Sequence, residues 1–219
     1  MSSPLVELRG IHFAYDARRP VLANLNLSIG TGDRIGITGA NGGGKSTLLQ
    51  LIVGLVKPTA GKVICFGGPR NREPDFMDVR RRVGLLFQDS DDQLFCPTVA
   101  EDIAFGPLNL GKSRDESARI VRDTLDAVGL PGYEDRITYK LSGGEKRLVA
   151  LATVLAMEPE VLLLDEPMAG LDEGHAEQVE RLLSALPQAM LVVAHDRAFL
   201  KKIARSVSTL RAGVLETAD

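Results

Sequence analysis

Asp33–Ser46 reads DRIGITGANGGGKS. DRIGIT is a short predicted strand, and a helix is predicted over 45–54. Between them GANGGGKS, Gly39–Ser46, fits G-x-x-x-x-G-K-[ST] at every fixed position and in the strand-to-helix setting the motif requires. Glycines let successive backbone N–H groups curl around phosphates. The start of the helix adds partial positive charge. Lys45 reaches the outer phosphates, and the Ser46 hydroxyl is placed to ligate Mg²⁺. Asn41, Gly42, Gly44 and Thr47 complete the candidate phosphate contacts. A glycine-rich turn that merely precedes Lys-Ser would not match both pattern and context.

Further along, Val161–Pro167 reads VLLLDEP. Four apolar residues predict a strand buried on both faces. Two acids stand at its C-terminal end, where open α/β sheets place ligands. Beside a phosphate loop, Asp165 is a candidate Mg²⁺ ligand, and Glu166 a candidate to orient or deprotonate an attacking water. Solvated acids at a strand end are common, so the phosphate loop gives this pair its meaning. His195 closes another strand, MLVVAHD, and Gln88 ends the apolar run VGLLFQ. Neither carries information alone.

The 219 residues carry a formal charge of −3, and aromatic residues make up 5% with no Trp. That balance argues against a general nucleic-acid binder or a single-strand stacking platform. Cys65 and Cys96 lie far apart without metal-ligand spacing, so neither a zinc site nor a disulfide framework is expected. The start MSSPLVELRG lacks a basic segment followed by an apolar one, so no leader is expected. The apolar run Leu148–Met157 falls short of the about 20 residues that a membrane span needs.

Strands are predicted over 5–15, 25–29, 33–38, 62–66 and 83–87. From about 89 to 157 the pattern is helical, with a capping box at Ser113–Glu116 and Ala118, Val121, Leu125 and Val128 on one face. Alternation of strand and helix then resumes. The whole is an α/β core with an antiparallel β part at its N-terminal end and an inserted helical segment.

Leu141–Ala156, LSGGEKRLVALATVLA, poses a question. Two glycines stand in a first helical turn, although each costs about 1 kcal/mol there relative to alanine. Ser142 and Glu145 form S-x-x-E, a capping box. That explains the serine and the glutamate but not Gly143 and Gly144.

Taken together, these motifs resemble those of the ATP-binding subunits of ABC transporters, over essentially the full length. The resemblance implies a phosphate-loop NTPase (RecA-like) core, 1–88 and 159–219, and a helical subdomain at about 89–158, in a single domain of residues 1–219. LSGGE matches the family's signature, and it implies that Ser142, Gly143 and Gly144 contact the γ-phosphate of an ATP held by another subunit's phosphate loop. Side chains at 143 and 144 would block that approach. The resemblance also makes Tyr15, in HFAYD, the aromatic that stacks on adenine. Gln88 becomes the sensor of Mg²⁺ and the water, Asp172, in AGLD, part of the loop that crosses between subunits, and His195 a γ-phosphate contact. Gly43, where relatives usually carry Ser, and Met168, where they carry Thr or Ser, depart from the pattern.

One phosphate loop and one signature imply that the chain supplies half of each of two sites, hence a second ATPase subunit in a homodimer or a heterodimer, with the homodimer expected. The spacing is too short for the coiled coil of chromosome-maintenance relatives, and translation-associated relatives carry two units per chain. Leu86–Gly111, LFQDSDDQLFCPTVAEDIAFGPLNLG, is similar to the ATPases of energy-coupling-factor importers, most of all the cobalt and nickel systems; vitamin importers have very similar ATPases. The implied partners are a transmembrane coupling subunit and a substrate-binding membrane subunit. The implied location is peripheral, at the cytoplasmic face of the membrane. Asp89, Asp91 and Asp92 repel one another, and exposed ion pairs contribute only about 0–1 kcal/mol. Asp89, Asp91 or Asp92 is expected to receive an arginine from a helix of the coupling subunit.

Overall fold

The computed structural model describes residues 3–16 and 19–217. In chain order the elements are β1 (Val6–Asp16), β2 (Arg19–Ile29), β3 (Arg34–Gly39), α1 (Lys45–Ile52), β4 (Ala60–Cys65), β5 (Gly68–Arg70), α2 (Glu73–Arg82) and β6 (Val83–Leu86). Then come α3 (Val99–Asn109), α4 (Arg114–Val128), α5 (Gly143–Leu155), β7 (Val161–Asp165), α6 (Glu173–Ala185), β8 (Ala189–Val193), α7 (Arg197–Ile203), β9 (Ser206–Arg211) and β10 (Val214–Thr217). Short 3₁₀ turns cover Ser90–Asp92 and Thr138–Lys140. The chain forms two compact units, one of residues 1–85, 160–165 and 187–219, the other of 86–159 and 166–186.

The first unit holds two sheets. One is antiparallel, in the order β2-β1-β4-β5. In β1 the buried positions run Val6 and Leu8, then Ile11 and Phe13. The register slips between Leu8 and Ile11, so a bulge moves the inward face from even to odd positions. Tyr15 is the next residue on that face.

The other sheet has the order β10-β9-β3-β8-β7-β6. β3 pairs in parallel with β8 and β9, and β7 in parallel with β8. All five residues of β7 and of β8 are buried, as continuous apolar runs require when both faces are covered. Ile37, Leu48, Leu51, Leu163, Leu191 and Val193 belong to this unit's core. Several elements lie outside the expected set or start early: β4 begins at Ala60, and β5 was not expected. β2 begins at Arg19, α2 was not expected, and β10 pairs antiparallel with β9.

The second unit is helical. α3, α4 and α5 pack on one another, and α6 packs on α4. The buried stripe of α4 is Ser117, Val121, Leu125 and Val128. Ser117 therefore takes the position expected of Ala118, which is exposed, because 117 and 121 are four apart and lie one above the other. The capping boxes of α4 and α5 form as expected, and a third, Thr98 with Glu101, starts α3. Among the described residues no helix is long and apolar enough to cross a membrane. Both cysteines are free.

Candidate active site

In the first unit the phosphate loop joins β3 to α1. Gly44, at the start of α1, has φ 95, and a Cβ there would lie 2.7 Å from Val21 Cγ1, so both backbone and packing require glycine. Gly43 donates its N–H to the Ala40 carbonyl at 3.1 Å. An added Cβ at 43 would sit 2.9 Å from that same oxygen, which gives the departure at this position a local reason. Lys45 is buried, and its ammonium donates to the carbonyls of Gly39 and Ala40, both at 3.0 Å. That holds the cation at the centre of the loop. The first-turn amides of α1 have no intrahelical acceptors and are available to an anion.

The strand register places Asp165 and His195 at the sheet edge that carries this loop. Val193 of β8 lies opposite Ile37 of β3 on one side and Asp165 of β7 on the other. Asp165, buried, therefore ends the strand two places from the one that feeds the phosphate loop. His195 leaves the intervening strand two residues past Val193, and it is exposed. The three meet at the C-terminal edge of adjacent parallel strands. Tyr15 shares a hydrogen bond of 3.1 Å between its hydroxyl and that of Thr47. Its ring is 67% exposed and stands edge-on to Phe13, so it presents a face to solvent rather than filling the core.

In the second unit Ser142 caps α5. Its hydroxyl accepts from the Glu145 N–H at 3.3 Å, and its own N–H donates to Glu145 Oε2 at 2.7 Å. The Tyr133 hydroxyl donates to Glu145 Oε1 at 2.7 Å, and this bond first, then the serine, holds the Glu145 carboxyl below the usual carboxylate range. A lowered folded pKa gives stability that is present above the ordinary value and lost as the pH falls through the lowered one, so the cap loosens only in acid. A Cβ at Gly143 would meet nothing within 4 Å. At Gly144 it would meet the Gly170 carbonyl at 3.3 Å. The fold of one chain thus gives no reason for glycine at 143 and only a weak one at 144.

Gln88 is exposed. Glu166 has φ 50, a left-handed conformation rare for a non-glycine residue. Asp172 caps α6, accepting from the His175 N–H at 3.1 Å, and its carboxylate pairs with His175 Nδ1 at 2.5 Å. The backbone bond first, then the imidazole, holds the Asp172 carboxyl below its ordinary value. His175 had no expected role. Met168 follows Pro167, and nothing in the structure explains it.

The acidic segment has partners within the chain. Asp89 caps the turn over Ser90–Asp92, accepting from the Asp91 N–H at 2.9 Å. Asp91 pairs with Lys146 of α5 at 2.6 Å. Two of the three carboxylates therefore have partners within the chain, and only Asp92 has none among the described residues. A residue without an expected role, Arg147, donates to the carbonyls of Phe87, Gln88 and Glu166. Its sequence position, directly before the apolar run Leu148–Met157 and after Glu145 and Lys146, does not set it apart from an exposed charge.

The profile of the family described as ABC transporter matches residues 22–169. The energy-coupling factor transporter ATP-binding protein EcfA of Methanothermobacter thermautotrophicus is 42% identical over 215 residues, 96% of this chain and 69% of that protein. Among solved structures, cbiO1 of Clostridium perfringens, part of the ABC transporter complex cbiONQ, has a TM-score of 0.85 at 32% identity, over 98% of this chain and 88% of that one. The dimeric bacterial ABC transporter cassette MJ0796 has a TM-score of 0.88 at 28% identity, over 96% of each chain.

Proposed function

We propose that this chain, which belongs to the ABC transporter family and is one of its ATP-hydrolysing subunits, powers an importer of the energy-coupling-factor type from the cytoplasmic face of the membrane. The observation that carries the reading is the meeting of the phosphate loop, Asp165 and His195 at one edge of β3, β8 and β7. ATP fits the first unit: a buried lysine held in a glycine loop suits an anion, and the exposed Tyr15 ring suits a base. Ser46, Asp165 and Gln88 are oxygen donors of the kind that Mg²⁺ takes. When bound, Mg²⁺ neutralises charge on the outer phosphates. The loop amides with Asn41, Gly42, Gly44, Lys45, Ser46 and Thr47 hold the phosphates. Glu166 accepts a proton from the attacking water, and Gln88 orients that water. His195 contacts the γ-phosphate.

Ser142, Gly143 and Gly144 face the nucleotide of a second copy, and Asp172 lies in the crossing loop. What supports this is a glycine at 143 that its own chain does not require, together with the dimeric state of the MJ0796 cassette. Replacing Lys45 with Ala removes a charge-assisted phosphate contact. It should weaken nucleotide binding at least about tenfold, a loss of about 1.4 kcal/mol, as titration with a fluorescent ATP analogue would measure; unchanged affinity would contradict the assignment.

The membrane side of the reading rests on Leu86–Gly111. An apolar groove of about 650 Å³ between α3 and α4 is lined by Ala100, Ala104, Phe105, Leu108 and Val121. Exposed Phe95, edge-on to Phe105, leads from the acidic turn into it. A cytoplasmic helix of the coupling subunit, apolar with an arginine at its end, suits this surface, and of the three aspartates Asp92 is the one to receive the arginine, since Asp89 and Asp91 have partners within the chain. Asp92→Asn should leave the ATPase rate of the purified subunit within about twofold and reduce recovery of the membrane subunits in a co-purification by about tenfold, the range of a bidentate pair. Equal recovery would remove Asp92 from the interface. The cargo is a cobalt or nickel ion, supported by the likeness of Leu86–Gly111 to those systems; a vitamin importer is the second reading, since its ATPases share that segment. Co-purification with a metal-binding membrane subunit supports the first, and recovery with coiled-coil or ribosomal proteins would sink transport altogether.

A further inference from the structure

We infer that Arg147 is a positioning residue that joins Gln88 and Glu166, the hydrolytic pair of the second unit, to the helix carrying the signature. The inference rests on the reading that Glu166 acts on the attacking water. Arg147 is 2% exposed, one residue before the apolar stretch Leu148–Leu155 of α5. A guanidinium stays charged in proteins and must be bonded when buried. Its Nη2 donates to the Glu166 carbonyl at 2.7 Å, and its Nη1 to the Gln88 carbonyl at 3.2 Å and to the Phe87 carbonyl. One planar fork thus holds the backbone of both residues.

Glu166 needs such a hold. A non-glycine residue persists at positive φ only where its surroundings fix it. Its carbonyl receives Arg147 and also the Ala169 N–H at 3.0 Å, so the peptide that aims its side chain is fixed from two sides. The segment bearing Gln88 is bound to α5 at further levels. Lys146 takes Asp91. Gln93 donates to the Ala150 carbonyl and the Thr153 hydroxyl, both at 2.7 Å, and accepts from the Phe87 N–H at 3.1 Å. Residues 87–93 and α5 therefore shift together. Ser142–Gly144 begin that same helix, so a nucleotide touching them in the second copy's site alters where this chain holds Gln88 and Glu166. Arg147 is the link, and it couples the two sites through a physical element. Lysine cannot replace it, because a single ammonium lacks the fork that reaches several carbonyls.

The test uses the full chain with Arg147→Lys, and Arg147→Met as a second variant. Arg147→Lys should bind a fluorescent ATP analogue within twofold of wild type and show an unchanged KM, while kcat falls at least tenfold. Hydrogen exchange should rise in 86–93 and 165–170 and stay unchanged in 34–52. In a Glu166→Gln background the lysine should slow the residual rate by clearly less than its tenfold effect in wild type, because only the part that acts through Gln88 is left. Wild-type kcat in Arg147→Lys, wild-type exchange in both segments, or an additive loss in the double variant would each overturn the inference. If Arg147→Lys does not fold, Arg147→Met is read by the same measurements, and failure of both to fold would also overturn it, since the role would be structural. Normal hydrolysis by Glu166→Gln alone would instead remove the reading of Glu166 on which the link depends.

Discussion

Glu166→Gln should bind ATP as wild type does and hydrolyse it at least about 100-fold more slowly, the lower end of what a positioned general base contributes. The amide has the size of the carboxylate but cannot accept a proton from water. The backbone at 166 owes its conformation to bonds on its carbonyl, which the substitution leaves alone. The loss should therefore appear in kcat with nucleotide affinity retained. The measurement is phosphate release at saturating ATP beside an equilibrium titration. A rate near wild type would end the assignment of Glu166.

Gly143→Asp should lose hydrolysis by a similar factor for a different reason. Nothing lies within 4 Å of a Cβ at 143, so the fold admits the side chain. An acid in the first turn of a helix is favoured by about 0.3–1 kcal/mol, and glycine gives up a further part of its cost there, so the variant should melt no lower than wild type. Nucleotide binding to the single chain uses Lys45 and its loop in the first unit and should be unchanged. On the proposed reading, what changes is the surface offered to a second copy's γ-phosphate, where an added negative charge repels. A stable variant that binds ATP but does not hydrolyse it is the expected result. Hydrolysis at the wild-type rate would show that position 143 faces no phosphate.

The parts of this molecule that could be read from its sequence are those fixed by local chemistry. Gly39–Ser46 carries its own turn and anion geometry, and the runs ending at Asp165 and His195 announce buried strands by their lack of polar residues. Serine three places before glutamate gave two helix starts, at Ser113 and Ser142, because a capping box closes within four residues. α2 was hidden for the opposite reason. EPDFMDVRRR buries only Phe76 and Val79, too thin a stripe to show a period. The early start of β2 was masked by Pro20 and by irregular alternation before Leu25. Asp91 finds its partner 55 positions away at Lys146, and Arg147 finds Phe87 and Gln88 at similar range. Partners so distant leave no trace in local spacing. The inward shift of β1 that carries Tyr15 to an exposed end also needs the register with β2, which a single strand does not reveal.

At the centre of the account is a site completed by a second copy. The most direct test is the mass of Glu166→Gln by sedimentation, with ATP and with ADP, beside Gly143→Asp in the same background. ATP should double the mass of Glu166→Gln, ADP should not, and the added Gly143→Asp should keep the chain single in both. A single mass with ATP, or equal doubling when position 143 carries the aspartate, would contradict it.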